Sequence, residues 1–268
     1  MGGRLDGKVA IITGAARGTG EATARAFVRE GATVWIADLL VAEGAAVARD
    51  LGDAGRFVHH DVTSEESWQN VVEQVTGRDG RIDVLVNNAA ILHLGTLLDT
   101  TADDFRRLNE VNQIGPFLGI RAVYETMRAQ EGGSIVNIAS IDGFHPKNSV
   151  IAYASSKFAL RAITKVSAIE LGQFGIRVNS VCPESGGPGM VGSVLPEGVD
   201  VESIMSAPWQ WPILKSERKR SFEDRLGDIA NLVVFLASDE SASCTGGDYL
   251  IDGGHSAGRL VKAAGLPA

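Results

Sequence analysis

The stretch Val9–Gly20, "VAIITGAARGTG", decides the fold of this chain. Its first residues are apolar or β-branched with no polar alternation, the pattern of a strand buried on both faces. Gly14, Gly18 and Gly20 follow, and "TGEATARAFVRE" (19–30) then keeps helical periodicity up to a stop at Gly31. A glycine triplet alone is a weak signal, and a purely structural turn is the plain alternative. Here strand, turn and helix come in order. The turn therefore opens a helix whose free N–H groups and positive dipole end can receive a phosphate. The spacing is Gly-x-x-x-Gly-x-Gly, not GxGxxG. Gly14, Arg17, Gly18, Thr19 and Gly20 are candidate dinucleotide contacts.

Outward from this unit the same alternation repeats. Strands are predicted at 33–38, 56–62, 82–90, 134–140, 177–183 and 247–254. Helices are predicted at 42–52, 64–77, 102–130, 151–172 and 227–239. Strict strand–helix alternation implies a single α/β domain over 1–268, a Rossmann-like, doubly wound parallel sheet of about seven strands with helices on both faces. Residues 184–222 lack periodicity and read as a substrate-binding lid within that domain. Residues 255–268 form a small, apolar tail, more readily docked on a partner than free.

Composition narrows the function class. The chain has 268 residues, 44% of them apolar, and a net charge of −8. The densest basic run, "KSERKR" (215–220), is short and interrupted, so no nucleic-acid partner is expected. No apolar run approaches a membrane span and no secretory leader is visible, which reads as a cytoplasmic protein. Cys182 and Cys244 match no metal-ligand spacing and read as reduced, buried thiols. His59, His60, His93 and His255 have no partner at ligand spacing either, so no metal is expected. His255 could lie near a neighbouring subunit's site.

In an open α/β sheet, ligands sit beyond the carboxyl ends of the strands. Asp38 ends the second strand, where an acid accepts from the adenosine ribose; a strand-end cap is the bland reading. A carboxylate there, followed by Leu39 and not a cation, disfavours a 2′-phosphate and points to NAD. Arg17 pulls the other way. Asp61 and the amide of Val62 are placed to meet adenine. Asn88, Ala89, Pro183 and Glu184 end strands on the same edge. Tyr153 and Lys157, in "YASSK", share one helix face at i, i+4. Ser140 ends the preceding strand. A phenol beside an ammonium can exchange a proton with a carbinol while a nicotinamide takes the hydride, so Lys157, together with the positive nicotinamide of the oxidised cofactor, is expected to make Tyr153 acidic. Lys157 is also expected to meet the nicotinamide ribose, and Ser140 to hold the substrate oxygen.

Taken together, "TGAARGTG", Asp61, "NNAA", "EVNQIGPFLG", "IVNIAS", "YASSK", "IRVNSVCP" and "IDGG" resemble the short-chain dehydrogenase/reductase family, in family order over about residues 6–254. The resemblance implies a tetrad of Asn112, Ser140, Tyr153 and Lys157, a homotetramer built on the helices at 102–130 and 151–172, and a secondary alcohol or ketone as the small-molecule partner. It is similar to bacterial hydroxysteroid dehydrogenases, which suggests a steroid or alicyclic alcohol. Asn112, read alone, is a polar residue at a helix kink. Two positions depart from the family pattern: Ala90 and Glu184 stand where it has glycine. Glu184 is either a substrate selector or a solvent-facing side chain. Asp142, His145 and Trp209 are candidate substrate contacts, Trp209 among apolar lid residues that serve either the substrate or packing on the body. An NADPH-dependent carbonyl or 3-oxoacyl ketoreductase and a non-catalytic nucleotide-binding regulator are the alternatives.

Overall fold

The computed structural model describes residues 2–184, 190, 194–195, 214 and 221–258. Its strands are β1 (Val9–Thr13), β2 (Thr33–Asp38), β3 (Gly55–His59), β4 (Val84–Asn87), β5 (Gly133–Ile138), β6 (Ile176–Pro183) and β7 (Asp248–Ile251). The helices between them are α1 (Gly18–Arg29), α2 (Val41–Asp50), α3 (Glu65–Asp79), α4 (Ala102–Asn109), α5 (Gly115–Ala129), α6 (Ile151–Leu171) and α7 (Phe222–Ala237). The seven strands form one sheet in the order β3-β2-β1-β4-β5-β6-β7, with every neighbouring pair parallel. The chain reverses its direction of winding between β1 and β4, which places a crevice above their carboxyl ends.

Two apolar layers sandwich the sheet, because successive strand residues point to opposite faces. Ala10 and Ile12 of β1 pack with Ala24 and Phe27 of α1 and Ile229 and Val233 of α7. Val9 and Ile11 face the other way, into Val71 and Val75 of α3 and Val123 and Met127 of α5. Local signals set the helix ends. Ser64 caps α3 by accepting from Ser67 N at 3.1 Å, and Gly80 closes it at φ 75°.

The structure corrects two boundaries. The helix predicted over 102–130 is two helices joined by a π-turn at Glu110–Ile114. Pro116 has no N–H for the carbonyl of Asn112 four residues back, so the α pattern cannot run through. The helix predicted from 227 starts at Phe222, where Ser221 and Asp224 form a reciprocal cap. Most of the expected lid, Trp209 included, and the tail beyond 258 lie outside the described residues.

Candidate active site

A cleft of about 1020 Å³ opens above the carboxyl edge of the sheet. Gly14, Arg17, Gly18, Thr19, Asp38, Leu39, Asp61, Val62, Asn88, Ala89, Ser140, Tyr153, Lys157 and Pro183 line it, so fourteen of the sequence-derived candidates meet in one place.

The glycine turn is built for close approach. Gly14 sits at φ 63°, and a β-carbon there would lie 2.7 Å from Ala89 Cα. Gly20 faces the Gly14 carbonyl and is packed beneath the turn, not on the cleft wall. Gly18 sits at φ 61° with nothing within 4 Å of its β-carbon position, so its bare backbone faces open cleft at the start of α1. Asn88 fixes the turn from β4: its Nδ2 donates to the carbonyls of Thr13 at 2.8 Å and Gly14 at 2.9 Å. Left-handed glycine, open space and a helix N-terminus together fit a dinucleotide pyrophosphate.

At the adenosine end, Asp38 is held by two amides. Its Oδ2 accepts from Ala16 N at 2.9 Å and its Oδ1 from Leu40 N at 3.0 Å. Asp61 accepts from Thr63 N at 2.9 Å and Thr63 Oγ1 at 2.8 Å, and these bonds hold its carboxyl below the ordinary range. The Arg17 side chain makes no hydrogen bond or ion pair among the described residues and is exposed at the rim.

At the other end, Tyr153 and Lys157 rise from the first turns of α6, and Ser140 stands at the end of β5. The Ser140 hydroxyl accepts from Asp142 N at 3.1 Å and lines the cleft beside the phenol. Lys157 Nζ donates to the Ile138 carbonyl at 2.8 Å and lies 5.5 Å from the centre of the Tyr153 ring. Burial pushes the phenol above its ordinary value, the Asp142 carboxylate adds to that, and the Ser140 hydroxyl opposes it. Burial pushes the Lys157 ammonium down to about 8. Burial therefore favours Tyr153 as a protonated phenol.

Asn112 lies beneath this pair and does not line the cleft. Fully buried in the π-turn, it accepts from Ile91 N at 2.8 Å and donates to Ile91 O at 2.9 Å and to Ser156 Oγ at 3.2 Å. It clamps the loop after β4 to α6. Three candidate substrate contacts stand away from the described lining of the cleft. Asp142 is buried behind Ser140 in a short 3₁₀ turn, His145 is exposed, and Glu184 is paired with His255 at 3.1 Å; none lines the cleft.

Sequence reasoning missed the apolar wall beside the phenol. Leu108, Val150, Ala152 and Ala154 pack around Tyr153 together with Ile91, Leu92 and Met190. The signal was present: Asp104, Arg107, Leu108 and Val111 follow helical spacing, and all four line the cleft. Also missed was a buried polar ladder under the site. Asn87 Nδ2 donates to Asn137 Oδ1 at 2.9 Å, and Asn137 Nδ2 to Thr164 Oγ1 at 2.9 Å, tying β4 and β5 to α6.

Comparison with known proteins agrees with this geometry. A family model described as Enoyl-(Acyl carrier protein) reductase matches residues 14–256. The chain is 43% identical over 258 residues to a 3-alpha-(or 20-beta)-hydroxysteroid dehydrogenase of Mycobacterium tuberculosis, covering 96% of this chain and 93% of the relative. It is 40% identical to a trans-4-hydroxycyclohexanecarboxylate dehydrogenase of Sinomonas cyclohexanicum, with 97% and 96% covered. It is 36% identical to a cyclopentanol dehydrogenase of Comamonas testosteroni, with 95% and 99% covered. A crystal structure described as that of a short-chain dehydrogenase/reductase from Burkholderia xenovorans superposes with a TM-score of 0.83 at 33% identity, covering 96% of this chain and all of the other.

Proposed function

Because the chain belongs to the short-chain dehydrogenase/reductase family, we propose that it interconverts a secondary alcohol and a ketone on an apolar, cyclic substrate, with NAD as the cofactor. The observation that carries this reading is the meeting of Ser140, Tyr153 and Lys157 at the end of a glycine-cradled cleft, beside the apolar wall of Ile91, Leu92, Leu108 and Met190. An alicyclic ring buries well against such a wall. The relatives named for steroid and cyclic alcohols support the same substrate class.

Gly14, Gly18 and Thr19 would hold the pyrophosphate, Asp38 the adenosine ribose, Asp61 and Val62 the adenine, and Lys157 the nicotinamide ribose. When bound, the cofactor supplies the hydride acceptor and a positive ring charge. This chain supplies the proton chemistry. Ser140 orients the substrate oxygen toward Tyr153. In reduction the protonated phenol donates to that oxygen, which suits its raised pKa. In oxidation the phenol must first give up its proton, and the nearby positive charges of Lys157 and the bound nicotinamide favour that loss.

Asp38, pinned by two amides with its oxygens facing the rim, supports NAD over its 2′-phosphorylated form. The exposed Arg17 is the feature that favours NADP, so initial rates with both cofactors decide. The test is a panel of steroids, cycloalkanols and terpenoid alcohols with each cofactor, followed at the nicotinamide absorbance, with an enoyl thioester and its reduced cofactor in parallel. Turnover of alicyclic alcohols with NAD is expected. Activity on the enoyl thioester alone would overturn the alcohol reading. Tyr153→Phe should abolish turnover and leave NADH affinity within about threefold, since the phenol is a proton donor and not a binding anchor; retained turnover would remove Tyr153 from that role. We also infer an assembly of four copies, supported by the exposed apolar stripe on α6.

A further inference from the structure

The loops after β6 and β7 meet next to the cleft, and their junction is ionic. Pro183 ends β6 and lines the cleft together with Tyr153 and Lys157. The next residue, Glu184, donates one long backbone bond among the described residues, from its amide to the Ile251 carbonyl at 3.4 Å. Its carboxylate instead meets His255 Nδ1 at 3.1 Å, with one fifth of the Glu184 side chain exposed. A carboxylate only accepts, so Nδ1 of His255 carries a proton and donates it.

His255 stands on a turn that is itself fixed. The Asp252 carboxylate accepts from Gly254 N at 2.9 Å, from Ser256 N at 2.8 Å and from the Ser256 hydroxyl. The amide of His255 returns to the Asp252 carbonyl at 3.0 Å, and Leu214 N docks on the Gly253 carbonyl at 2.9 Å. Three other charges act on the pair: Arg225 from α7 and Asp252 on Glu184, and Asp142 from the turn after β5 on His255. A glycine at 184 would offer this post nothing to hold. Glu184 does not take a positive φ, so its backbone accepts a side chain without left-handed strain.

We propose that His255 is a positioning residue for the cofactor, holding through Glu184 the Pro183 wall of the cleft where the nicotinamide end would lie. The proposal rests on the oxidoreductase reading given above. It assigns to the pair a job of geometry, not of proton transfer. Loss of the strap lets the cleft wall relax, which weakens cofactor binding more than it slows chemistry on the bound complex.

The test measures NADH binding by fluorescence titration, with steady-state kinetics beside it, on His255→Ala, His255→Asn, Glu184→Ala and the double Ala variant. His255→Ala is expected to weaken NADH binding about tenfold and to raise KM for NAD by a similar factor, with kcat falling less. His255→Asn places an amide N–H near the same carboxylate and should restore binding to within about threefold. The double variant should bind no worse than either single one, because both remove the same contact. Unaltered binding in His255→Ala, no rescue by Asn, or losses that multiply in the double variant would each overturn the proposal. Failure of the unmodified chain to bind either NADH or NADPH is a different result and would overturn the oxidoreductase reading itself.

Discussion

Lys157 shows what a buried ammonium at the proposed site costs the fold. Its ammonium is 2% exposed, and burial pushes it from 10.5 to about 8. A shift of that size costs the folded state on the order of 3 kcal/mol. The sign follows from which state holds the proton more tightly. Below pH 8 the amine is charged folded and unfolded, and the whole cost is present. Between about pH 8 and 10.5 the folded amine loses its proton first, and the cost fades. Lys157→Met, with similar volume and no charge, should therefore raise the melting temperature by a few degrees at pH 7, even after losing the bond to Ile138 worth about 1 kcal/mol. The gain should shrink at pH 10, while turnover falls at least about 100-fold at either pH. Calorimetry and initial rates at both pH values check this; a lower melting temperature at pH 7 would show that the amine is a net stabiliser. At this scale the meeting of Tyr153 and Lys157 at the cleft was legible, because i, i+4 spacing on a helix fixes a shared face. The burial of Asp142 was not legible, because its place in a 3₁₀ turn behind Ser140 depends on tertiary packing that no local pattern records.

Among the elements, the turn from β1 into α1 carries two left-handed glycines with different reasons to be glycine. Gly14 has both φ 63° and a crowded β-carbon position, 2.7 Å from Ala89 Cα and 3.0 Å from Asn88 Nδ2. Gly18 has φ 61° and open space. Gly18→Ala should cost about 1–2 kcal/mol from the left-handed backbone alone, a few degrees in melting temperature, and should weaken NAD binding tenfold or more by standing a methyl in the cleft. Gly14→Ala should lose more than twice that stability, because β4 must also move. Thermal unfolding with NADH titration separates the two effects, and equal melting temperatures for the two variants would refute the distinction. The turn and the doubly wound parallel sheet were readable from alternation and glycine placement. The break between α4 and α5 was half readable. Pro116 marked it, but only the π-turn shows why Asn112 points inward to hold Ile91.

Whole-molecule behaviour follows from what the fold buries and what it leaves bare. His60 is 2% exposed beside the cleft, its Nδ1 on Ser67 Oγ at 2.8 Å, and burial lowers its pKa to about 4. From pH 6.5 down to 4 the unfolded chain takes up a proton that the folded chain refuses, so stability should fall by about 1.4 kcal/mol per pH unit from this residue. His60→Gln should flatten the difference in urea unfolding between pH 7 and pH 5 by about 2 kcal/mol, and an unchanged difference would assign the acid limb elsewhere. The surface offers the opposite case. Ile151, Phe158, Val166 and Ile169 of α6 recur at helical spacing yet remain 37%, 44%, 53% and 80% exposed. A stripe of that kind is costly in water and suited to a second copy of the same helix, since a two-fold contact sets the stripe against itself. Ile169→Lys should place like charges across that contact and lower the mass seen by light scattering, with activity per subunit largely kept because Ile169 does not line the cleft. A monomer in the unmodified chain, or an unchanged mass in the variant, would put the assembly surface somewhere other than α6.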